Sequence, residues 1–239
     1  MVELILDILL PHNACALCRK PGVYWSRKPW CEECDTRMQE SREPLETCRR
    51  CGKYLCSGGV LCTECEEKDP PFFIARAVGP YENGFKIAVK ILKFLCRRYI
   101  GVRMGVMMGK VVANEPQFWP LDLVVPVPIS EANLKQRGFN QGEVLARQVA
   151  RTIKVKMDAH VLVRVKETPS QRELSKQERE ANLKNAFQVQ HGQKIRGKNI
   201  LLVDDVYTTG STVKECVQVL LDAGANRVAV ITWATGKGY

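Results

Sequence analysis

The chain is predicted to be an α/β protein: a parallel sheet with helices on both faces, preceded by a small cysteine-rich module held by metal. Three observations carry this expectation. Short runs rich in β-branched residues alternate with stretches of helical spacing from Phe72 onward. Nine of the eleven cysteines lie within Cys15–Cys65. The charge divides at nearly the same place: residues 1–70 hold ten Lys+Arg against twelve Asp+Glu, and residues 71–239 hold twenty-six against fourteen. Across all 239 residues, 45% hydrophobic and 26% charged are ordinary values for a folded chain, which excludes collagen-like, low-complexity and wholly disordered classes. No apolar run approaches the ~18 residues of a membrane helix. Met1–Leu10 is apolar but carries Glu3 and Asp7 and lacks a basic start, unlike a signal peptide. The expectation is a soluble intracellular protein with no membrane insertion.

Eight of the nine clustered cysteines form four C-x-x-C pairs: Cys15/Cys18, Cys31/Cys34, Cys48/Cys51 and Cys62/Cys65. A C-x-x-C turn aims two thiolates at one ion, and two such turns complete a tetrahedral zinc site. Twelve residues separate Cys18 from Cys31 and ten separate Cys51 from Cys62, gaps that suit a hairpin returning to the metal, as in zinc ribbons. The cheapest pairing is sequential, one zinc per consecutive quartet. An interleaved pairing is the alternative, and Cys56 is a spare. A disulfide framework would need an oxidising compartment, which nothing in the chain suggests. Closed Cys₄ sites leave no position for a catalytic water, so two structural Zn²⁺ are expected, each supplying on the order of 10 kcal/mol of folding energy.

Asp69-Pro70-Pro71 closes this module, because consecutive prolines resist a helix crossing. The expected division is a double zinc-ribbon module over 1–69 and a second domain over 70–239. In the latter, Phe72–Val78 reads as a strand and Phe85 to about Val112 as one helical stretch. Leu121–Val127 is a buried strand bounded by prolines, and Gln141–Ile153 a helix. His160–Val165 is a strand candidate before the polar stretch Lys166–Glu180. Ile200–Val203, Thr212–Ala223 and Arg227–Trp233 complete the alternation as strand, helix and strand. Short, continuously apolar strands separated by helices belong to a parallel sheet covered on both sides.

Ligands of such sheets bind beyond the carboxyl ends of strands. Strand 200–203 is expected to end in Asp204-Asp205, followed by Val206-Tyr207-Thr208-Thr209-Gly210-Ser211-Thr212 leading into a helix. Two adjacent carboxylates can hold a vicinal diol or face a divalent ion. The hydroxyls and backbone N–H groups of Thr208, Thr209, Gly210, Ser211 and Thr212 can hold a phosphate at a helix N-terminus. A sugar with a diol and a phosphate satisfies both halves. The competing reading is a solvated acidic strand end and an ordinary N-cap.

Leu201 through Thr212 resembles the phosphoribosyl diphosphate (PRPP) motif of type I phosphoribosyltransferases along its whole length. The resemblance implies that Asp204 and Asp205 hold the ribose hydroxyls at the catalytic centre and that Thr208–Thr212 hold the 5′-phosphate. Val125-Pro126-Val127-Pro128 and Lys135-Gln136-Arg137-Gly138-Phe139-Asn140-Gln141 resemble the pyrophosphate-loop region of the ComF (ComFC) competence family. Arg164, Thr168 and Gln171, with Arg179, Asn182 and Phe187, resemble its mobile-loop segment, and ComF proteins place a zinc ribbon before the phosphoribosyltransferase domain in this order. The likeness spans essentially the whole chain. It implies a cytoplasmic protein of DNA uptake in natural transformation, binding single-stranded DNA and PRPP with Mg²⁺, with a helicase-like competence protein as a candidate partner.

Displacement of pyrophosphate from the ribose anomeric carbon passes through an oxocarbenium-like state, so positioning and charge stabilisation are the protein's tasks. Arg137 and Lys135 are the candidate cations for the pyrophosphate. Purine-salvage members carry an acid in the phosphate turn, beside the base, where this chain has Thr208. The sugar half of an enzyme is therefore legible and the acceptor half is not, which leaves phosphoribosyl transfer to an unknown nitrogen acceptor as the alternative function. Lys86, Lys90, Lys93 and Arg97 step by four, three and four along the expected helix, a basic face near Phe94 and Tyr99 that suits a single strand. The plainer reading is an amphipathic helix whose Ile87, Ile91 and Leu95 enter the core while the lysines meet water.

Overall fold

The computed structural model describes residues 12–42, 46–55, 58–166 and 183–238. Cys56 and the segment containing Thr168, Gln171, Arg179 and Asn182 lie outside the described residues. The centre of the fold is a four-stranded parallel sheet. Its strands, β4 (Ile74–Pro80), β5 (Leu123–Pro126), β8 (Asn199–Tyr207) and β9 (Arg227–Thr235), stand in the order β4-β9-β8-β5. Period-two alternation divides their side chains between two apolar layers. Ile74, Val124, Leu201, Val203, Ala229, Ile231 and Trp233 face one layer, and Ala75, Leu123, Val125, Ile200, Leu202, Val228 and Val230 face the other.

The first layer is covered by α3 (Asn83–Phe94), α4 (Arg98–Asn114) and α6 (Gln141–Ile153), and the second by α7 (Ser211–Asp222). Helix α4 carries glycine at every fourth position, and α6 approaches it there. A Cβ on Gly101 would lie 2.7 Å from Val144 Cγ1, on Gly105 2.6 Å from Gln148 Cβ, and on Gly109 2.6 Å from Thr152 Cβ. Side chains on this stripe would push the helices apart, and the buried Met104 and Met108 fill the core beside it.

Each cysteine quartet forms one cluster in the sequential pairing: Cys15, Cys18, Cys31 and Cys34, then Cys48, Cys51, Cys62 and Cys65, with the Sγ atoms of each set within 4.8 Å of one another. The two are built alike. The first knuckle sits between β1 (His12–Ala14) and β2 (Pro21–Tyr24), and its return limb is the first turn of α1 (Glu32–Glu40) rather than a second hairpin. The second follows a Thr47–Tyr54 bridge into β3 (Tyr54–Leu55) and is completed by α2 (Thr63–Lys68). In each, the residue after the knuckle, Arg19 or Gly52, takes a positive φ and donates its N–H to the carbonyl of the first cysteine at 2.9 Å.

The modules lie against opposite layers of the sheet. Cys15, Trp30, Cys34 and Met38 pack into the layer of α3 and α4, while the second quartet packs with Phe72, Tyr207 and Val213 in the layer of α7. Polar contacts cross the expected boundary at residue 69/70 as well. Arg103 ion-pairs with Asp35 at 3.3 Å, Arg76 donates to the Arg49 carbonyl at 2.9 Å, and β3 pairs in parallel with β10 (Lys237–Gly238).

Three sequence expectations need correction. The stretch 85–112 is two helices, because the chain turns at Leu95–Arg97 with Cys96 at φ 52°. Buried Leu92 and Tyr99 are seven residues apart, so the apolar period runs through the break without revealing it. What anchors the second helix there is tertiary: Arg98 donates to the Gly138 carbonyl and lies 4.6 Å from the Phe139 ring centroid. The segment around His160–Val165 does not join the parallel sheet. Its β6 (Leu162–Arg164) pairs antiparallel with β7 (Phe187–Val189) in a separate two-stranded ribbon. Finally, β8 continues through the two acids to Tyr207, since Asp204, Val206 and Tyr207 find partners in Thr232, Ala234 and Thr235 of β9. Among the described residues, no helix is long and apolar enough to cross a membrane.

Candidate functional site

The carboxyl end of β8 assembles the predicted acid pair and phosphate turn. Asp204 and Asp205 are 9% and 3% exposed, and Asp204 Oδ1 accepts the Asp205 N–H at 2.8 Å. Burial, with the Asp205 charge second, pushes the Asp204 carboxyl well above the usual carboxylate range, while Lys93 acts in the opposite sense. Tyr207 closes the strand, and Gly210 at φ 74° begins α7. A Cβ on Gly210 would collide with the ring and hydroxyl of Tyr207, so both conformation and space require glycine there. Thr208 is exposed, Ser211 is buried, and the Thr209 and Ser211 hydroxyls are 3.0 Å apart across the turn. The turn therefore presents hydroxyls and backbone N–H groups at the start of a twelve-residue helix.

The predicted pyrophosphate cations lie on the short helix that follows the neighbouring strand β5. The Val127 N–H donates to the Val203 carbonyl at 2.9 Å, directing the chain after β5 past the acids into α5 (Glu131–Arg137). Ser130 caps that helix, Gly138 ends it in the left-handed region, and Asn140 caps α6. The sequence around Lys135 and Arg137 thus encodes two short helix boundaries. Arg137 donates to Gln141 Oε1 at 2.9 Å and lies 6.0 Å from the Phe94 ring centroid, while Lys135 is exposed.

The basic face predicted on the helix is divided. Lys86 and Lys90 are exposed on α3, with Lys86 5.7 Å from the Tyr81 ring. Arg97 falls beyond the end of α3, in the turn before α4, so it does not continue the same helical face. Lys93 is turned inward, its Nζ 2.6 Å from Asp205 Oδ2. Of the apolar residues expected to enter the core, Ile91 does so, whereas Ile87 is 40% exposed and Leu95 61%.

Two features escaped the sequence reading. Lys93 reaches the acid pair, although its spacing groups it with Lys86 and Lys90. Glu64, inside the last C-x-x-C turn, bridges Lys53 at 2.8 Å and Lys214 of α7 at 2.6 Å. An acid between two metal ligands was the available signal for the second feature. No spacing rule distinguishes Lys93 from its neighbours.

Both cysteine clusters fit a tetrahedral thiolate-binding metal. Besides their mutual approach, Cys15 Sγ accepts the Cys31 N–H at 3.3 Å and Cys48 Sγ the Cys62 N–H at 3.4 Å. Such bonds stabilise thiolate, and they help to draw the Cys48 thiol below its ordinary value, behind the larger contribution of Cys51 and Cys65. The acid pair fits a hard cation: it offers carboxylate oxygens, and Asp205 already holds one cation in Lys93.

A phosphoribosyl transferase domain family matches residues 140–238. The DNA utilization protein YhgH of Salmonella typhi is 33% identical over 228 residues, covering 93% of this chain and 97% of that protein. The chain belongs to the ComF family. Competence protein F of Haemophilus influenzae is 28% identical over 220 residues, 90% of this chain and 94% of that one. Competence protein ComFC of Bacillus subtilis is 31% identical over 102 residues, 43% of this chain and 39% of that protein. ComF membership joins the type I phosphoribosyltransferase fold and the two cysteine quartets in one chain, as the sequence resemblance implied.

Proposed function

We propose that this ComF protein acts in DNA uptake or utilisation as a cytoplasmic single-strand-binding component, with a PRPP site at Asp204-Asp205 and two structural zinc ions. The observation that carries the PRPP reading is the buried acid pair leading through Tyr207 into the Gly210 turn and the N-terminus of α7. In this reading Asp204 and Asp205 accept the ribose hydroxyls, Thr208–Thr212 hold the 5′-phosphate, and Arg137 and Lys135 face the pyrophosphate. Mg²⁺, when bound, supplies neutralising charge for the pyrophosphate. Single-stranded DNA lies along the exposed Lys86 and Lys90 of α3, with Arg97 in the turn beyond and Lys93 held by Asp205, and the name of the DNA utilization relative supports DNA as the partner. A helicase-like protein is the macromolecular partner expected beside it.

Titration calorimetry with PRPP, with and without Mg²⁺, tests the sugar site. Magnesium-dependent binding is expected, and absence of heat at millimolar PRPP would remove this reading. A pyrophosphate-release screen over nucleobases and ammonia addresses the second reading, a working phosphoribosyltransferase, which the complete acid pair and phosphate turn favour. Release with any acceptor establishes transfer. No release is expected, because the Thr208 hydroxyl does not ionise near neutral pH and cannot carry a proton to or from a base, where salvage enzymes carry an acid.

A further inference from the structure

The periodicity of α3 places Lys93 with Lys86 and Lys90, at steps of four and three, yet only the first two are exposed. Lys93 instead holds Asp205 at 2.6 Å, one residue before α3 ends at Phe94. We infer that Lys93 is a latch between the two binding surfaces: it occupies Asp205 when the sugar site is empty and joins the basic face of α3 when a diol and a divalent cation take the acids. This rests on reading Asp204-Asp205 as the PRPP site.

Asp205 is nearly fully buried, so its charge needs a counter-ion, and Lys93 is the cation paired with it. A divalent cation on the same carboxylate repels the ammonium and removes its reason to stay. A lysine stem is long and flexible, and Lys93 retains partial exposure, with 21% of its side chain accessible. Its way out leads along the side of α3 that carries Lys90, where a strand's phosphate supplies the lost counter-ion. The coupling is reciprocal: whatever factor PRPP contributes to DNA affinity, DNA contributes to PRPP affinity. PRPP with Mg²⁺ thereby becomes a signal that raises the protein's hold on a single strand, without any transfer reaction.

The test is fluorescence anisotropy with labelled oligo-dT at fixed Mg²⁺, with and without PRPP, over a salt series. In the unmodified protein, PRPP should raise affinity about three- to ten-fold and steepen the log–log salt slope by about 0.7, one further phosphate contact on a single strand. Asp205→Asn releases Lys93 without any ligand, so it should show the higher affinity and steeper slope from the start. In Lys93→Met, PRPP should no longer raise affinity. If folded Asp205→Asn binds oligo-dT like the unmodified protein without PRPP, the latch is wrong, whether or not PRPP binds. If calorimetry shows PRPP bound while oligo-dT affinity moves identically in the unmodified protein and Lys93→Met, it is wrong as well. Calorimetry without PRPP uptake overturns the sugar-site reading instead, and the Asp205→Asn measurement still decides the latch. Should Asp205→Asn not fold, the comparison of the unmodified protein with Lys93→Met decides it.

Discussion

Glu64 stands between the metal-ligand candidates Cys62 and Cys65 and holds Lys214, in the first turn of the helix behind the phosphate turn, at 2.6 Å. Its other oxygen holds Lys53 at 2.8 Å, and Lys53 lies 5.5 Å from the ring of Tyr207. Tyr207 in turn underlies Gly210. The second cysteine cluster and the proposed phosphate turn are therefore parts of one buried unit. Breaking this bridge is expected to cost more than breaking a surface pair. Glu64→Gln should lower unfolding free energy in urea by about 2–3 kcal/mol, because Lys53 is left buried without its counter-ion. The exposed pair Lys28–Glu32 at 3.4 Å is the control, and Glu32→Gln should change stability by under about 0.5 kcal/mol. Equal effects in the two variants would deny the bridge a structural role.

Metal content follows from the geometry of the two quartets. Purified protein should carry close to two zinc ions per chain by elemental analysis, released by a thiol-modifying reagent. A value near one would show that one cluster is not a zinc site, and a value of zero would remove the ribbon reading altogether. Stripping the metal should lower the melting temperature strongly, since each cluster is packed into one of the two apolar layers.

Asp204 predicts a pH dependence. In the folded chain its carboxyl ionises well above the usual carboxylate range, because of burial and the neighbouring Asp205 charge. Between the unfolded and folded values the native state binds more protons than the unfolded state, so this group's contribution falls as pH rises. Asp204→Asn removes that loss while keeping an oxygen for the Asp205 N–H. The variant should be more stable at pH 7, on the order of 1 kcal/mol or about 2–4 °C, and the gain should vanish towards pH 4. A gain that is constant with pH would place the cause elsewhere.

Changing both acids separates the two proposed ligands. Asp204→Asn with Asp205→Asn should weaken PRPP binding by several kcal/mol, taking ~1.5–3 kcal/mol for each hydrogen bond to a charged group. Affinity for single-stranded DNA should rise, because the same change frees Lys93 from Asp205. Loss of both ligands in a variant with unchanged circular dichroism would mean that DNA and PRPP share one site.

The contact between α4 and α6 yields the sharpest packing test. Gly105→Ala puts a methyl group within 2.6 Å of Gln148 Cβ and 2.8 Å of the Leu145 carbonyl. The backbone carbonyl cannot turn aside, so a loss of about 1–3 kcal/mol is expected despite alanine's better helix propensity. A stabilised variant would show that the helices can separate freely.

What the sequence alone determined is whatever depends on near neighbours in the chain. The C-x-x-C spacing defined the four ligand pairs, since two ligands three residues apart can share one ion, while the structure joined consecutive pairs into quartets. The β-branched runs located the central strands, and the run from Leu201 to Thr212 carried an acid pair, a glycine turn and a helix start within twelve residues. Only the tertiary structure decided where α3 stops, because the apolar period passes through Cys96 undisturbed. It alone ended β8 at Tyr207, where pairing with β9 continues beyond the acids. It also decided that Lys93 faces Asp205 rather than water. Periodicity assigns a residue to one side of a helix, but a lysine's long stem lets its charge leave that side for a buried counter-ion contributed by a strand more than a hundred residues away.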